Sequence, residues 1–318
     1  MRRPSTVEVM LLTTIGLWSL NLTVSRVILT HGFQPLAYAS VRYGLAAVVV
    51  VSLALLVERS LRLHRRDLPL AAVAALLLYV NQLGFVSALD RTSASVLGLI
   101  LGATPIFAAL AGVALGTETL PSRFWAGAVL SFAGVALVAL GSGGEVSGDL
   151  GGVLLGVLTA ASWAGYSMAV TPLMQQYSAR RISAVVLAGA WVPITLTAMP
   201  QVAGQEWGLG WEIWALLVFA TLGPLVLTNE LWFRSLDRIG PARATLASNL
   251  MPFLGAAIAV LLLSERLAPI ELVGGAFIGA GILVARRRGT PRHPPSSVLG
   301  TCRRSAAPRW PRSPPRSG

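Results

Sequence analysis

Apolar residues fall in blocks of about twenty, separated by short polar stretches, as far as residue 285. A block of that length is what an α-helix needs to cross the hydrocarbon core of a bilayer. Ten blocks are read: Val7–Val27, Pro35–Val57, Leu68–Leu89, Ser93–Leu115, Ser122–Gly141, Leu150–Leu173, Ile182–Val202, Glu212–Phe233, Pro241–Leu263 and Pro269–Ala285. Barrel strands would alternate over ten-residue segments, so self-satisfying helices are the spanning solution that fits. The first block follows Arg2 and Arg3, yet it exceeds a signal-peptide core and lacks a clear small-residue cleavage site. It is read as an uncleaved span. The pattern predicts an all-α integral membrane protein with ten transmembrane helices.

Composition agrees, with 54% hydrophobic and 12% charged residues, where soluble chains carry about 25% charged. The net charge of +12 changes the picture only when it is located. Nine of the 25 arginines and no acid lie from Arg286 onward, which leaves +3 for the rest. The excess therefore belongs to an Arg- and Pro-rich tail, residues 287–318, expected to be disordered, and nucleic-acid binding is not expected. Twenty-one arginines fall on the side of the N-terminus, including Arg59, Arg62, Arg65, Arg66, Arg123, Arg180 and Arg181. The positive-inside rule then makes both termini cytoplasmic in a multi-pass protein of a bacterial plasma membrane. Cys302 is the single cysteine, which excludes a disulfide framework and a Cys-based metal site.

An internal repeat runs at an offset of 147 residues. Leu89-Asp90-Arg91 recurs as Leu236-Asp237-Arg238, Pro105 as Pro252, Glu118 as Glu265, and Gly127 and Gly134 as Gly274 and Gly281. Earlier in each half, Trp18 matches Trp163 and Asn21 matches Tyr166 at an offset of 145. Each half, 7–141 and 150–286, contains five spans; an odd number inserts the two halves upside down relative to each other. Such inverted repeats are characteristic of secondary transporters.

The segment Thr92-Ser93-Ala94-Ser95, followed by Ala103-Thr104-Pro105-Ile106-Phe107-Ala108-Ala109-Leu110, resembles the fourth span of the EamA-type drug/metabolite transporters. The second-half runs Leu231-Trp232-Phe233-Arg234, Gly240-Pro241-Ala242-Arg243-Ala244, Pro252-Phe253 and Ser264-Glu265-Arg266-Leu267 resemble the same family. The resemblance implies ten helices around a central cavity and export of amino acids or similar small metabolites.

Polar residues inside spans are the site candidates, because each is costly there unless it faces protein or water. Trp18, Asn21 and Ser25 share one face of the first span; Trp163 and Tyr166 repeat that face on the sixth. They line the cavity or bond neighbouring helices. Asn81 and Gln82 have Thr228 and Asn229 as counterparts, with Asn81 and Asn229 favoured as inward-facing. Asn249 could bond carbonyls freed near Pro252. Arg42, seven residues into the second span, either meets a substrate carboxylate or snorkels to the outer interface beside Tyr38 and Tyr43. Glu230, eighteen residues along the eighth span, is a proton-coupling candidate or the partner of Arg234 in a helix-end ion pair. Pro105 and Pro252 read as paired hinges or static kinks, with Pro193 and Pro224 lacking symmetry partners. Glu118 and Glu265 read as helix-end anchors. Glycine pairs four apart, such as Gly98 with Gly102 and Gly152 with Gly156, permit close helix packing.

These features predict a secondary-active transporter working by alternating access, with a small-molecule substrate, the bilayer as its solvent, and a homodimer left open. No Walker A sequence supports ATP-driven transport by the chain alone, and no cofactor is expected. The alternatives are an intramembrane protease or lipid-modifying transferase, or a lipid-linked-sugar flippase of the same superfamily. The enzyme reading suffers because His31, His64 and His293 lie in loops or the tail, and no span holds an HExxH helix.

Overall fold

A computed structural model describes residues 6–114, 116, 122–141, 150–232, 251–264 and 267–286. The helices are α1 (Thr6–Thr30), α2 (Pro35–Glu58), α3 (Leu68–Arg91), α4 (Ala94–Leu101), α5 (Thr104–Ala114) and α6 (Ser122–Gly141). They continue with α7 (Leu150–Met174), α8 (Ala179–Ala203), α9 (Trp211–Thr221), α10 (Met251–Leu263) and α11 (Pro269–Arg286). No extended strand occurs among the described residues. Among the described residues, six helices are long and apolar enough to cross a membrane, and the α4–α5 pair would make a seventh. Large apolar side chains point outward, with Leu56 77% and Leu261 79% exposed, as a lipid-facing surface requires.

The fourth block is two helices rather than one kinked helix. Its two halves meet at a bend of about 40°, and the Thr104 hydroxyl accompanies the break by donating to the Leu101 carbonyl at 2.6 Å. Pro105 is the second residue of α5, in a first turn where a missing N–H leaves no bond unmade. Pro252 lies near the start of the described part of α10. The eighth block is also interrupted: α9 passes through a π-helical turn, Leu222–Leu227, before helix resumes to Trp232.

Helix ends are satisfied by neighbouring elements, because an unpaired backbone group in a bilayer is expensive. The Gln205 Oε1 accepts from the Gln34 N–H and the Gln201 Oε1 from the Leu36 N–H, both at 2.7 Å, which ties the start of α2 to the end of α8. The Ser178 hydroxyl caps α8 by accepting from the Arg181 N–H at 3.1 Å. Arg26 donates to the Leu89 carbonyl and, at 3.2 Å, to that of Asp90, at the end of α3.

The closest packing is between α6 and α11. A Cβ on Gly134 would lie 2.5 Å from the Gly274 carbonyl oxygen, and one on Gly281 would lie 2.5 Å from that of Gly127. Only glycine permits this approach. Between them, the Ser131 hydroxyl donates to the Ile278 carbonyl at 3.2 Å. Elsewhere α3 lies along α7, α2 along α8 and α1 along α10. Glu118, Arg234, Asn249, Glu265 and the tail 287–318 lie outside the described residues.

Candidate functional site

The π-helical turn on α9 has a local cause. Pro224 has no N–H to offer the Ala220 carbonyl four residues earlier. The turn also carries the Thr228 N–H to the Gly223 carbonyl, one residue beyond its regular partner, Pro224. Two backbone acceptors are thereby released in mid-span, and the side chains that take them come from other helices. Arg42 on α2 donates Nη2 to the Ala220 carbonyl at 3.2 Å. Trp18 on α1 donates Nε1 to the Pro224 carbonyl at 3.1 Å, which also accepts the Thr228 hydroxyl at 2.7 Å.

Arg42 does not snorkel to the interface. It is 4% exposed and turned into the bundle, where Nη2 also donates to Asn21 Oδ1 at 3.0 Å. The guanidinium carbon stands 5.7 Å from the centre of the Tyr38 ring. The Tyr38 hydroxyl shares a 2.9 Å hydrogen bond with Ser25, which lies 3.5 Å from Asn21 Oδ1. Among the described residues no carboxylate lies within ion-pair distance of Arg42, and its Nε has no hydrogen-bond partner. A buried cation with neutral partners is costly in a low-dielectric interior and retains an unmet demand for negative charge.

An aromatic cluster gathers around Trp18, whose acceptor, Pro224, lies four residues after that of Arg42, Ala220. The Trp18 ring lies 6.4 Å from Trp163, edge to face, and 5.3 Å from Trp232; Trp163 lies 5.2 Å from Tyr166. All four side chains are half-buried. The sequence-matched Trp18 and Trp163 thus meet directly. Trp232 is the member that sequence reasoning missed, since one Trp near a span end reads as an interfacial anchor.

The other expected residues are placed differently. Asn81 donates to the Thr159 carbonyl at 2.9 Å and joins α3 to α7. Its neighbour Gln82, 4% exposed, has an Nε2 without a partner among the described residues, while Asn229 is half-buried. Glu230 accepts from Arg180 of α8 at 2.8 Å, an ion pair made across helices. At the end of α2, Glu58 pairs with Arg181 of α8 at 3.1 Å. The Tyr177 hydroxyl donates to Asp67 at 2.7 Å; desolvation and that hydrogen bond push its phenol above the ordinary range. A cavity of about 530 Å³ opens between the end of α1 and the start of α9, apart from the aromatic cluster.

A model described as the EamA-like transporter family matches residues 6–140 and again residues 150–287. The chain is 27% identical over 256 residues to the uncharacterized transporter YwfM of Bacillus subtilis, covering 79% of this chain and 83% of that protein. It is 24% identical to a probable amino-acid metabolite efflux pump of Salmonella typhimurium, over 86% of this chain and 92% of that one. A protein of known crystal structure shares the fold with a TM-score of 0.59 at 22% identity, over 88% of this chain and 96% of that chain.

Proposed function

The chain belongs to the EamA-like transporter family, and on that premise we propose that it exports amino acids or similar small metabolites by secondary-active alternating access. Two inverted five-helix repeats then surround a cavity faced by Trp18, Asn21, Arg42, Trp163, Tyr166 and Asn229, while Asn81 joins α3 to α7. The three shorter apolar helices fall where the fifth, ninth and tenth spans are expected. The α6–α11 crossing supports the inversion. The 147-residue offset exchanges the contact of Gly134 with Gly274 for that of Gly281 with Gly127, and relates Ser131 to Ile278. Contacts that map onto each other in this way mark a two-fold axis. The break before Pro105 would serve as one hinge, with the sequence-matched Pro252 as its counterpart.

The observation that carries the substrate reading is Arg42, a buried cation without an acid partner among the described residues. A planar, permanently charged fork suits a carboxylate, and the rings of Trp18, Trp163 and Tyr166 suit an apolar side chain beside it. The name of the Salmonella relative agrees with this class of cargo. Counterflow in proteoliposomes tests it: Arg42→Gln should cut saturable amino-acid exchange at least about tenfold, since bonds to charged groups carry the larger energies. Unchanged exchange would remove Arg42 from the site, and chemical conversion without flux would remove the transporter.

A further inference from the structure

In the inverted-repeat arrangement proposed for this chain, on which the present inference rests, α1 with α9 and α7 with α3 are equivalent pairs at opposite membrane faces. The pairs are not in the same condition. α3 meets α7 from Arg91 beside Gly152, through Gly84 beside Thr159, to Leu77 beside Gly165. α1 meets α9 around Leu17 and Trp18, beside Gly223 and Pro224. Beyond that point the outer cavity lies between them, lined by Val27, His31, Leu209, Glu212, Ile213 and Leu216.

The repeat offsets carry His31 onto Gln176, and Ile213 onto Arg66. At that cytoplasmic position the chain is tied instead of open. Arg66 Nη2 donates to Gln176 Oε1 at 3.1 Å. The Tyr177 hydroxyl donates to Asp67 Oδ2 at 2.7 Å and accepts from the His64 N–H at 2.9 Å. Asp67 is 9% exposed and belongs to the 3₁₀ turn Arg65–Asp67 that opens α3. Tyr177 belongs to the turn joining α7 to α8. We propose that Tyr177 and Asp67, with Arg66, Gln176 and the His64 backbone, form a cytoplasmic lock holding α3 against α7 while the outer α1–α9 cleft stands open, and that release of the lock closes that cleft.

The chemistry suits a bond made and broken in each cycle. A phenol on a carboxylate is a short, charge-assisted hydrogen bond. Tyr177 is half-buried in a turn and Asp67 stands at a helix end, so water can replace either partner when the ends part. Every member is in a turn or at a helix terminus, where a rigid helix movement separates them without unwinding a span.

Thiol labelling of the full chain tests the lock, in a Cys302→Ser background that leaves each introduced cysteine as the single thiol. Leu173→Cys, at a position 1% exposed behind the lock, reports the cytoplasmic cleft. Leu216→Cys reports the outer cavity. A membrane-impermeant maleimide is applied from the matching side of oriented vesicles. Tyr177→Phe removes only the hydroxyl. It should raise labelling at 173 about five- to tenfold and lower it at 216 by a similar factor, the usual worth of a hydrogen bond or two. Asp67→Asn keeps an accepting oxygen and should move both rates less, as should Gln176→Ala, which cuts only the more exposed bond. Rates that stay unchanged in all three variants, or that rise at one site without falling at the other, overturn the lock. The readout needs no cargo, so its failure is distinct from a failure to exchange amino acids.

Discussion

α3 and α9 hold the same place in the two matched segments, yet one is continuous and the other is interrupted. The residue responsible is Pro224, whose equivalent at the 147-residue offset is Leu77. Leu77 lets α3 keep its own backbone bonds and packs against Gly165 of α7, where an added Cβ would lie 3.3 Å from Leu77 Cδ1. Pro224 instead turns two carbonyls of α9 outward to Arg42 and Trp18. A single imino acid has thereby made one copy a packing strut and the other an acceptor for polar side chains. Sequence symmetry marks where the functional helices are; departure from symmetry marks what one of them does.

Exchanging the two residues attacks the difference from both ends. Leu77→Pro should have the largest effect, a loss of about 3 kcal/mol or more in stability, because it takes away the backbone donor of the Val73 carbonyl in a continuous helix. Loss of the folded fraction on heating in detergent measures it. Pro224→Leu should fold, since it restores helix, but Arg42 and Trp18 would lose their acceptors. Amino-acid counterflow should then fall about tenfold or more, in line with the loss of two hydrogen bonds, one of them charged. Asn81→Ala on α3 should cost about 0.6–1.5 kcal/mol of stability through the lost bond to Thr159, with the KM for exchange little changed. A large rise in KM would make Asn81 a cargo ligand. The smallest effect is expected at Glu230, which stands on α9 where α3 has Leu83. Because Arg180 holds it in a partly exposed ion pair, Glu230→Gln should leave the pH dependence of uptake unchanged and alter stability by less than about 1 kcal/mol. Abolished pH dependence would make it the proton site.

Much of the site was legible residue by residue. Trp18, Asn21 and Arg42 were marked by polarity inside apolar blocks, and the structure joins Arg42 to Asn21 and sets Trp18 beside Trp163. Pro224 was visible too, though without a symmetry partner it carried no weight. Its effect depends on donors that are about 180 to 200 residues away in sequence and on neighbours that no periodicity names. Trp232 escaped for the same reason. Glu230 was paired in sequence with Arg234 four residues on, whereas the described partner, Arg180, comes from another helix.

Block length, the distribution of arginine and the 147-residue repeat are local or one-dimensional properties, so the chain alone determines a helical membrane protein in two related halves. Bilayer thickness and the cost of unpaired backbone make that translation nearly unconditional. Which polar groups meet is set by helix crossings, and these depend on packing between elements far apart in the chain. The approach of α6 to α11, the turn on α9 that feeds Arg42 and Trp18, and the contrast between the tied and open clefts are decided there. Each is a pairing of surfaces, and a pairing exists only once both surfaces are in place.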